Sequence, residues 1–362
     1  MTPSLLQDPC ALLNRSPLDE LNTEGIADVI RGRRVLVTGA GGSIGAQICR
    51  ELVKHNCEHL SLLENSEAAL FNIDRELADT NTSIQAIMCD VRDRKRLANW
   101  VLRERPDVVF HAAAMKHLRL SEEHPCEAVL TNVVGAWNVA RAAKAANVAH
   151  TVVVSTDKAV LPISMMGATK RAAELIVRNL ATDRARFAIV RLGNVLGSSG
   201  SVFPEFVRQI QRGGPVTISH EQVERYFITH SEAALFSLKS LALCAKRGPR
   251  PCRTFALDMG APVRIMGLAK RLIDLVGGAT SANIEIEVTG LRAWEKLSED
   301  LIWPNETPVH LDSRTLELME LEAPRLPTGW LAKLEAAARS GDEQRLRAEL
   351  FGWREGRLGP VQ

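Results

Sequence analysis

Aromatic residues and cysteines are scarce in this chain of 362 residues. Aromatic side chains make up 4% of the sequence and include a single tyrosine, Tyr226. The seven cysteines are scattered and form no Cys-x-x-Cys pair, a pattern that argues against a disulfide framework or a zinc site and favours a reducing cytoplasm. We therefore expect a cytoplasmic protein that holds no metal.

Long hydrophobic runs and an excess of one charge are also absent from the sequence. No apolar stretch reaches the length of a membrane span, and the first residues lack the apolar region of a signal peptide. The formal net charge of +2 is spread over an ordinary globular composition. We therefore expect neither a membrane span nor a nucleic-acid partner.

Short, β-branched apolar runs recur along the chain, and helix-length stretches rich in Ala, Leu, Glu, Lys and Arg separate most of them. Strands that alternate with helices predict parallel pairing through right-handed crossovers. Nearly continuous apolar strands predict a sheet covered on both faces. The predicted fold class is therefore α/β, with a doubly wound parallel sheet. The expected strands are Val35–Val37, His59–Leu63, Ile84–Met88, Val108–Phe110, Thr151–Val154, Phe187–Val190 and Phe255–Leu257.

The regular alternation of strands and helices weakens after Gly193, which predicts a second, smaller lobe. This lobe contains one strand-like run, Ile284–Val288, and is interleaved with the last sheet strand at about 252–260. The expected segments are an N-terminal arm (1–30), a nucleotide-binding domain (31–197), a substrate-binding lobe (198–330) and a helical tail (331–362).

The first expected strand runs into a glycine-rich turn that is typical of dinucleotide-binding folds. Gly39, Gly42 and Gly45 give the spacing G-x-x-G-x-x-G. One glycine permits the sharp turn, another lets the backbone approach a pyrophosphate, and the third lets the helix pack on the strand. The helix that begins near Ser43 and Ile44 offers free N–H groups and its positive dipole end to the phosphates. The turn therefore predicts a Rossmann-type cofactor site.

Acidic residues at the ends of the next two strands indicate which dinucleotide binds. Glu64 ends the second strand about twenty residues past the last glycine, where a carboxylate can bond both ribose hydroxyls. Asn65 follows it, at a position where an NADP site would often carry an arginine, so we expect NAD rather than NADP. Asp90, followed by Val91, closes the third strand, where it can reach the adenine amino group. A place in a surface loop is the alternative for both acids.

A cluster of reactive side chains ends the fifth strand. Thr156, Asp157 and Lys158 follow that strand, and reactive groups in a doubly wound sheet gather at the carboxyl ends of strands. Met166 and Lys170, four residues apart, share one face of the next helix. A short-chain dehydrogenase would carry Tyr-x-x-x-Lys at that spacing, and this pair is absent from the whole sequence. The alternatives are a helix cap with a solvated charge pair, and core packing for the methionine.

Four stretches resemble the nucleotide-sugar 4,6-dehydratases of bacterial polysaccharide biosynthesis, in the extended short-chain dehydrogenase/reductase superfamily. These stretches are His111–His117, Ser155–Val160, Met166–Arg171 and Arg191–Val202. The match is to the branch that carries methionine in place of the tyrosine, and it extends from about Leu12 to Leu301. The resemblance implies a lyase that converts UDP-N-acetylglucosamine to the 4-keto-6-deoxy sugar, with tightly bound NAD and the C5 configuration retained. Several such enzymes have membrane helices ahead of this domain, and this sequence resembles the catalytic domain alone.

The chemistry that the resemblance implies gives each catalytic residue a role. A hydride passes from C4 to NAD and returns to C6, and the reaction needs an acid and a base beside the nicotinamide. Lys158 would remove the C5 proton, Asp157 would protonate the departing C6 hydroxyl, and Thr156 would hydrogen-bond the C4 hydroxyl. Lys170 would bond the nicotinamide ribose and help to keep Lys158 neutral. Met166 would form a wall of the pocket.

Small and polar residues elsewhere complete the expected site. Ala112 and Ala113, after the fourth strand, let the backbone approach the cofactor. By resemblance, Asn132 supports the active-site strand through a hydrogen bond. Arginine suits a bidentate grip on phosphate oxygens. The expected sugar-nucleotide contacts are Lys116, Asn194, Ser199, Ser201, Arg225, Arg292 and Glu295.

Three stretches depart from the family pattern and leave the sugar and its nucleotide carrier open. They are Leu118–Glu122, Leu161–Ser164 and Ala293–Trp294. Two other functions stay open: a 4- or 5-epimerase of the same fold, which Asp157 argues against, and a non-catalytic NAD-binding regulatory protein, which the missing tyrosine suggests. We also expect a homo-oligomer, with a dimer formed through the two long helices that flank the sheet.

Overall fold

The computed structural model describes residues 12, 23–248, 250–277, 283–320 and 325–352. Within these ranges no helix is both long and apolar enough to cross a bilayer. The strands are β1 (Arg34–Thr38), β2 (His59–Glu64), β3 (Ser83–Met88), β4 (Val108–His111), β5 (His150–Thr156), β6 (Arg186–Leu192), β7 (Asn194–Val195), β8 (Val216–Ile218), β9 (Glu224–Arg225), β10 (Phe227–Ile228), β11 (Cys252–Leu257), β12 (Val263–Arg264), β13 (Ile286–Val288), β14 (Glu306–His310) and β15 (Thr315–Glu320).

Helices separate most of these strands. The helices are α1 (Ile26–Ile30), α2 (Ser43–Lys54), α3 (Glu67–Leu77), α4 (Arg94–Glu104), α5 (Leu118–Glu123), α6 (Pro125–Val129), α7 (Gly135–Ala145), α8 (Met165–Leu180), α9 (Val202–Gln211), α10 (His230–Lys246), α11 (Ile265–Val276), α12 (Trp330–Ser340) and α13 (Glu343–Phe351). A π-helical turn, Leu130–Val134, joins α6 to α7, and a 3₁₀ turn, Asp157–Ala159, follows β5.

Nine of the described strands form the main sheet, in the order β14-β15-β11-β6-β5-β4-β1-β2-β3. All seven strands expected from the sequence belong to it and lie parallel to one another. Val35 and Val37 of β1 pack into one buried cluster, while Leu36 between them packs into another. Both faces are therefore covered, as the apolar strands predict, and the predicted doubly wound α/β fold is confirmed.

Two strands that the sequence analysis did not expect extend one edge of the main sheet. β15 pairs antiparallel with β11, and β14 pairs antiparallel with β15, so the sheet is mixed at this edge. Leucine alternates with glutamate in β15, which reads as a strand with one solvated face. Glu317 is nevertheless buried, because Arg253 of β11 lies 2.5 Å from its carboxylate. The partner that makes this burial possible is distant in sequence.

A second buried cluster forms the core of a smaller lobe. Its members include Leu196, Phe206 and Leu268, and β13 pairs with β8 beside them. The strand expected at Ile284–Val288 is β13. The expected substrate-binding lobe (198–330) also includes elements of the main sheet layer: β14 and β15 are strands of that sheet, and α10 packs on it. The limits of the smaller lobe therefore stay a proposal. Of the expected arm, residues 1–11 and 13–22 lie outside the described residues.

The helical tail packs on the helix that carries Met166 and Lys170. Apolar residues of α13 pack on α8, and those of α12 pack beside it on α6 and the π-helical turn. Every residue from Met165 to Val177 is buried. Arg347 of α13 donates to one carboxylate oxygen of Glu122 (2.8 Å), and the other accepts the N–H of Met165 (2.6 Å). The expected dimer through the long helices that flank the sheet stays a prediction.

A buried network of charges joins α8 to the sheet. Arg191 of β6 is fully buried and donates to both carboxylate oxygens of Glu174 on α8 (2.9 and 2.8 Å). It also donates to both carboxylate oxygens of Glu306 on β14 (2.6 and 2.9 Å). Burial opposes ionisation, but the Arg191 charge holds the pKa of Glu174 well below its ordinary value. Arg171 extends the network from Glu174 to Glu320 of β15.

We predict that Arg191→Leu lowers the free energy of unfolding by about 3–5 kcal/mol, because two carboxylates would stay buried without their cation. Urea unfolding followed by circular dichroism measures this change. Arg50→Leu is the control, since Arg50 pairs with Glu76 at the surface (2.5 and 2.8 Å) and such a pair contributes about 1 kcal/mol or less. Equal losses of unfolding free energy in the two variants would contradict the structural role of the network.

Candidate active site

The glycine-rich turn after β1 leaves no room for side chains. Gly39 has a φ of +69°, and a Cβ there would lie 2.6 Å from the backbone nitrogen of Ala113, after β4. A Cβ at Gly45 would lie 2.0 Å from the carbonyl oxygen of Gly39, so α2 packs directly on the turn. Gly42 is the N-cap of α2, which begins at Ser43. The turn therefore presents backbone and the N-terminus of a helix, as a dinucleotide pyrophosphate requires.

A cavity of about 380 Å³ opens beside this turn. Residues that follow the carboxyl ends of β1, β2, β3 and β4 line it, which is where open parallel sheets bind ligands. The expected cofactor residues that line the cavity are Gly39, Gly42, Glu64, Asp90, Val91, Ala112 and Ala113. The other expected cofactor residues lie in helices: Ser43, Ile44 and Gly45 in the first turn of α2, and Lys170 in α8.

Glu64 holds the backbone of the cavity wall. Its carboxylate accepts the N–H groups of Gly41 (3.1 Å), Asn65 (2.9 Å) and Ser66 (3.1 Å). Its side chain lines the cavity and is 9% exposed, so the alternative of a surface-loop acid is wrong. Gly41 was not among the expected cofactor residues, and a Cβ there would lie 2.6 Å from the Cβ of Ala69. Glu64 thus ties the glycine turn to the loop after β2.

An arginine two residues further along the chain fixes Asp90. Arg92 donates to the Asp90 carboxylate from its backbone N–H and from Nε, both at 2.8 Å, and also reaches Glu127 at 2.5 Å. Burial acts against ionisation, but these hydrogen bonds hold the pKa of Asp90 below its ordinary value. Arg92 and Glu127 line the cavity and were not expected there. The sequence carries no signal that separates such an arginine from a solvated one.

The end of β5 gathers the expected catalytic side chains. Asp157 is fully buried, and its Oδ1 accepts hydrogen bonds from the Thr156 hydroxyl (2.8 Å), the Lys158 N–H (2.8 Å) and Lys158 Nζ (3.0 Å). Its Oδ2 is buried and has no hydrogen-bond partner among the described residues. The Lys158 side chain is 12% exposed. Thr156 does cap the turn, but the alternative of a solvated charge pair is wrong.

Lys170 lies beneath this cluster, and burial makes its ammonium form less favourable than it is in water. Its Nζ donates to the carbonyl oxygen of Val154 (2.7 Å), and burial lowers its pKa to about 8 although the charge of Glu174 opposes this. His111 pairs with the Thr38 hydroxyl through Nδ1 (2.7 Å). Burial and the charge of Lys170 lower the pKa of His111 to about 3, so its ring is neutral.

The start of α8 packs closely on the catalytic turn. A Cβ at Gly167 would lie 2.2 Å from the carbonyl oxygen of Lys158, so only glycine allows this approach. Met166, 5% exposed, lies beside it. Asn132, in the π-helical turn, bonds both the N–H (2.8 Å) and the carbonyl (2.9 Å) of Met115, and its amide donates to Thr169 (2.9 Å). This amide joins the loop after β4 to α8.

Three side-chain oxygens surround the Lys158 ammonium. Asp157 Oδ1 lies at 3.0 Å, Asn194 Oδ1 at 2.7 Å and Glu299 Oε1 at 3.7 Å from Nζ. Asn194 was expected to bind the sugar nucleotide, and here it contacts the expected base. Glu299 was missed, because it lies four residues beyond Glu295, the last substrate contact expected in this segment. Its closeness to Glu295 in sequence is the one signal that could have pointed to it.

Arg225 does not present a free guanidinium. Its side chain is buried and donates to the carbonyl oxygens of Glu224 (2.7 Å), Lys296 (2.8 Å) and Leu297 (3.0 Å), and its Nε lies 3.9 Å from Glu299. It therefore anchors the segment that carries Glu299, and the expected grip on phosphate stays a prediction.

The other expected substrate contacts differ in exposure and in the elements they meet. Lys116 and Ser199 are exposed, and the Ser201 hydroxyl is buried without a hydrogen-bond partner in the described part of the chain. The loop after β4 meets the segment of these serines, because a Cβ at Gly200 would lie 2.3 Å from the His117 ring. Arg292 is exposed, and Glu295 accepts its N–H (3.2 Å). The structure does not join this last pair to the Lys158 cluster.

Comparison with known sequences places the whole sheet and the site within one family. Residues 35–318 match the profile of a family described as polysaccharide biosynthesis protein. The chain is 44% identical over 299 residues to the probable polysaccharide biosynthesis protein EpsC of Bacillus subtilis, which covers 82% of this chain and 49% of EpsC. It is 30% identical over 279 residues to a UDP-N-acetylglucosamine 4,6-dehydratase (inverting) of Campylobacter jejuni, covering 76% of this chain and 78% of that protein.

Solved structures agree with this assignment. Pen from Bacillus thuringiensis superimposes with a TM-score of 0.75 at 31% identity, covering 82% of this chain and 91% of Pen. DesIV of Streptomyces venezuelae, a dTDP-glucose 4,6-dehydratase solved with NAD bound, shares the fold with a TM-score of 0.62 at 23% identity, covering 74% and 88%. The chain spans about half the length of EpsC. The chain therefore belongs to the polysaccharide biosynthesis protein family, on an extended short-chain dehydrogenase/reductase fold.

Proposed function

We propose that this protein is an NAD-dependent nucleotide-sugar 4,6-dehydratase. The observation that carries the proposal is the buried group Thr156, Asp157 and Lys158 at the carboxyl end of β5, which sets an acid beside a base. The favoured substrate is UDP-N-acetylglucosamine, and the product is the UDP-4-keto-6-deoxy-N-acetylhexosamine with its C5 configuration retained. The name of the Campylobacter relative supports the substrate and reaction class, while the methionine at position 166 favours retention through the resemblance.

NAD fits the cleft beside the glycine turn. Because of the close approaches at Gly39 and Gly45, only backbone faces the expected position of the pyrophosphate. Ala112 and Ala113 line the same cavity with small side chains. Glu64 lines the same cavity at the ribose end, and Lys170 would hold the nicotinamide ribose. When bound, NAD would take a hydride from the sugar C4 and supply one to C6.

The hydrogen bonds at the end of β5 support a closed route for protons. The Thr156 hydroxyl donates to Asp157 Oδ1, so the proton of the C4 hydroxyl can pass through Thr156 to Asp157 as C4 is oxidised. Asp157, now a carboxylic acid, protonates the C6 hydroxyl, which leaves as water. Lys158 removes the C5 proton and returns it to C5 when C6 is reduced. Both residues end in their starting protonation states. Asp157 becomes a carboxylic acid only when C4 is oxidised, just before it protonates the C6 hydroxyl.

The epimerase and the regulatory protein fit the site less well. A 4- or 5-epimerase needs no acid at C6, so the buried Asp157 with a free Oδ2 would have no use. A regulatory protein would not need a lysine held among three oxygens. We also infer a cytoplasmic reaction, because the described cysteines are all free thiols, as a reducing compartment favours.

We predict that Lys158→Ala lowers kcat by about 10²–10⁴-fold and abolishes solvent deuterium at C5, because the variant lacks the base. Nuclear magnetic resonance of UDP-N-acetylglucosamine and NAD incubated with enzyme in D₂O measures both. Lys54→Ala, an exposed lysine paired with Glu51, is the control and should match the wild type. Full turnover with C5 deuterium in Lys158→Ala would contradict the assignment of the base.

We predict that Gly39→Ala weakens NAD binding by at least about tenfold, equivalent to about 1.4 kcal/mol. The added Cβ would lie 2.6 Å from the backbone of Ala113, so one wall of the cleft must move. Isothermal titration calorimetry of the protein freed of cofactor measures the dissociation constant. Gly248→Ala, whose Cβ would meet no atom within 4 Å, is the matched control. Equal affinity in both variants would place NAD elsewhere.

A further inference from the structure

Glu299 is a buried acid that the proposed reaction has not yet used. It is 6% exposed, and its carboxylate faces two cations: Lys158 Nζ at 3.7 Å and Arg225 Nε at 3.9 Å. Both distances are those of ion pairs without a close hydrogen bond. Catalytic contacts are often long in structures without substrate and shorten when it binds. Glu299 is therefore within reach of the atom that would take the C5 proton.

Lys158 needs a way to lose a proton before it can act as a base. Its Nζ is surrounded by three acceptor oxygens, from Asp157, Asn194 and Glu299. A lysine side chain ordinarily carries a proton at neutral pH. Only the amine can remove a proton from C5, so the extra proton needs an acceptor before the reaction can start.

Asp157 is poorly suited to receive that proton from Lys158. Its Oδ1 already accepts three hydrogen bonds, from Thr156, the Lys158 N–H and Lys158 Nζ. The proposed route also requires Asp157 to be ionised at the start, so that it can receive the proton of the C4 hydroxyl. A separate acceptor next to Lys158 resolves this conflict.

We propose that Glu299 is a catalytic residue that takes the proton of the Lys158 ammonium and leaves Lys158 as an amine. The N–H bond of Lys158 breaks, an O–H bond forms on Glu299, and the pair becomes neutral without exchange with solvent. The proton returns to Lys158 after turnover. This inference rests on the proposed function, because it gives the lysine of that reaction its active form.

The charges around Glu299 suit a proton that moves back and forth. Burial raises the pKa of Glu299; the charge of Lys158 opposes this rise and that of Asp157 adds to it. Arg225 and Lys296 also face the group and lower its pKa. Asp300 lies next to Glu299 in sequence but is exposed and pairs with Lys296 (3.3 Å). Tyr226 lies near Asp157 and Asp300, and burial raises its pKa, so it stays a neutral phenol.

The test is the pH dependence of kcat with UDP-N-acetylglucosamine in the full chain loaded with NAD. In the wild type the proton moves within the pair, so kcat should be flat on both sides of neutral pH. In Glu299→Gln the proton must leave Lys158 for solvent. The kcat near neutral pH should then fall by about 10²-fold and rise about tenfold for each pH unit. Solvent exchange at C5 of the 4-keto-6-deoxy product should show the same profile.

Asp300→Asn is the matched control, since it removes a neighbouring exposed acid and should keep the wild-type profile. A flat pH profile of Glu299→Gln with unchanged or raised kcat would overturn the inference. That result is expected if Glu299 only pairs with the charge of Lys158, because removal of a negative neighbour makes a lysine less basic. Thermal unfolding of Glu299→Gln separates the expected loss of kcat from misfolding. Failure of the wild type to release water from any nucleotide sugar would instead overturn the proposed function, and this inference with it.

Discussion

Arg191 lies wholly inside the protein, with a carboxylate on each side of its guanidinium. Glu174 stands four residues after Lys170 on α8, and Glu306 belongs to the outer strand β14. A buried cation between two anions is tolerated only where well-formed hydrogen bonds to both anions offset the cost of removing the charges from water. This ion group therefore fixes how α8 sits on β5 and β6. The positions of Lys170 and Met166 depend on it, as does the contact of Gly167 with the Lys158 backbone.

A site without the usual tyrosine must obtain its acid and base differently. Asp157 and Lys158 are adjacent in sequence and hydrogen-bonded to each other in a place from which water is largely excluded. Low polarity strengthens each contact between charges and makes proton positions depend on near neighbours. Thr156, Asn194 and Glu299 are those neighbours. In our account the methionine forms a wall of the pocket, and protons travel through hydroxyl, carboxylate and amine groups.

The sequence predicts the features that depend on local pattern. The apolar runs predicted seven strands and their parallel pairing, and the spacing of Gly39, Gly42 and Gly45 predicted the cofactor cleft. Features that depend on distant partners were missed. β15 reads as a strand with one solvated face, but its glutamates are buried, because their arginine partners lie on other elements. Glu299 is distant in sequence from Lys158, and the tail meets α8 only after the chain has folded.

Residues with several possible contacts were also hard to assign from the sequence. Glu64 was expected at the ribose, and it holds three backbone N–H groups of the cavity wall. Arg225 was expected at a phosphate, and it caps three carbonyl oxygens. Long polar side chains reach many positions, so residue type and spacing do not determine which of these positions a side chain occupies.

The most direct test of the central claim follows a label from C4 of the sugar. UDP-N-acetylglucosamine that carries deuterium at C4 is incubated with the enzyme and NAD, and the product is examined by nuclear magnetic resonance and mass spectrometry. The account predicts loss of water and deuterium on the C6 methyl group of a 4-keto product, transferred within one molecule. Deuterium that stays at C4, or product that keeps its C6 hydroxyl, would contradict it.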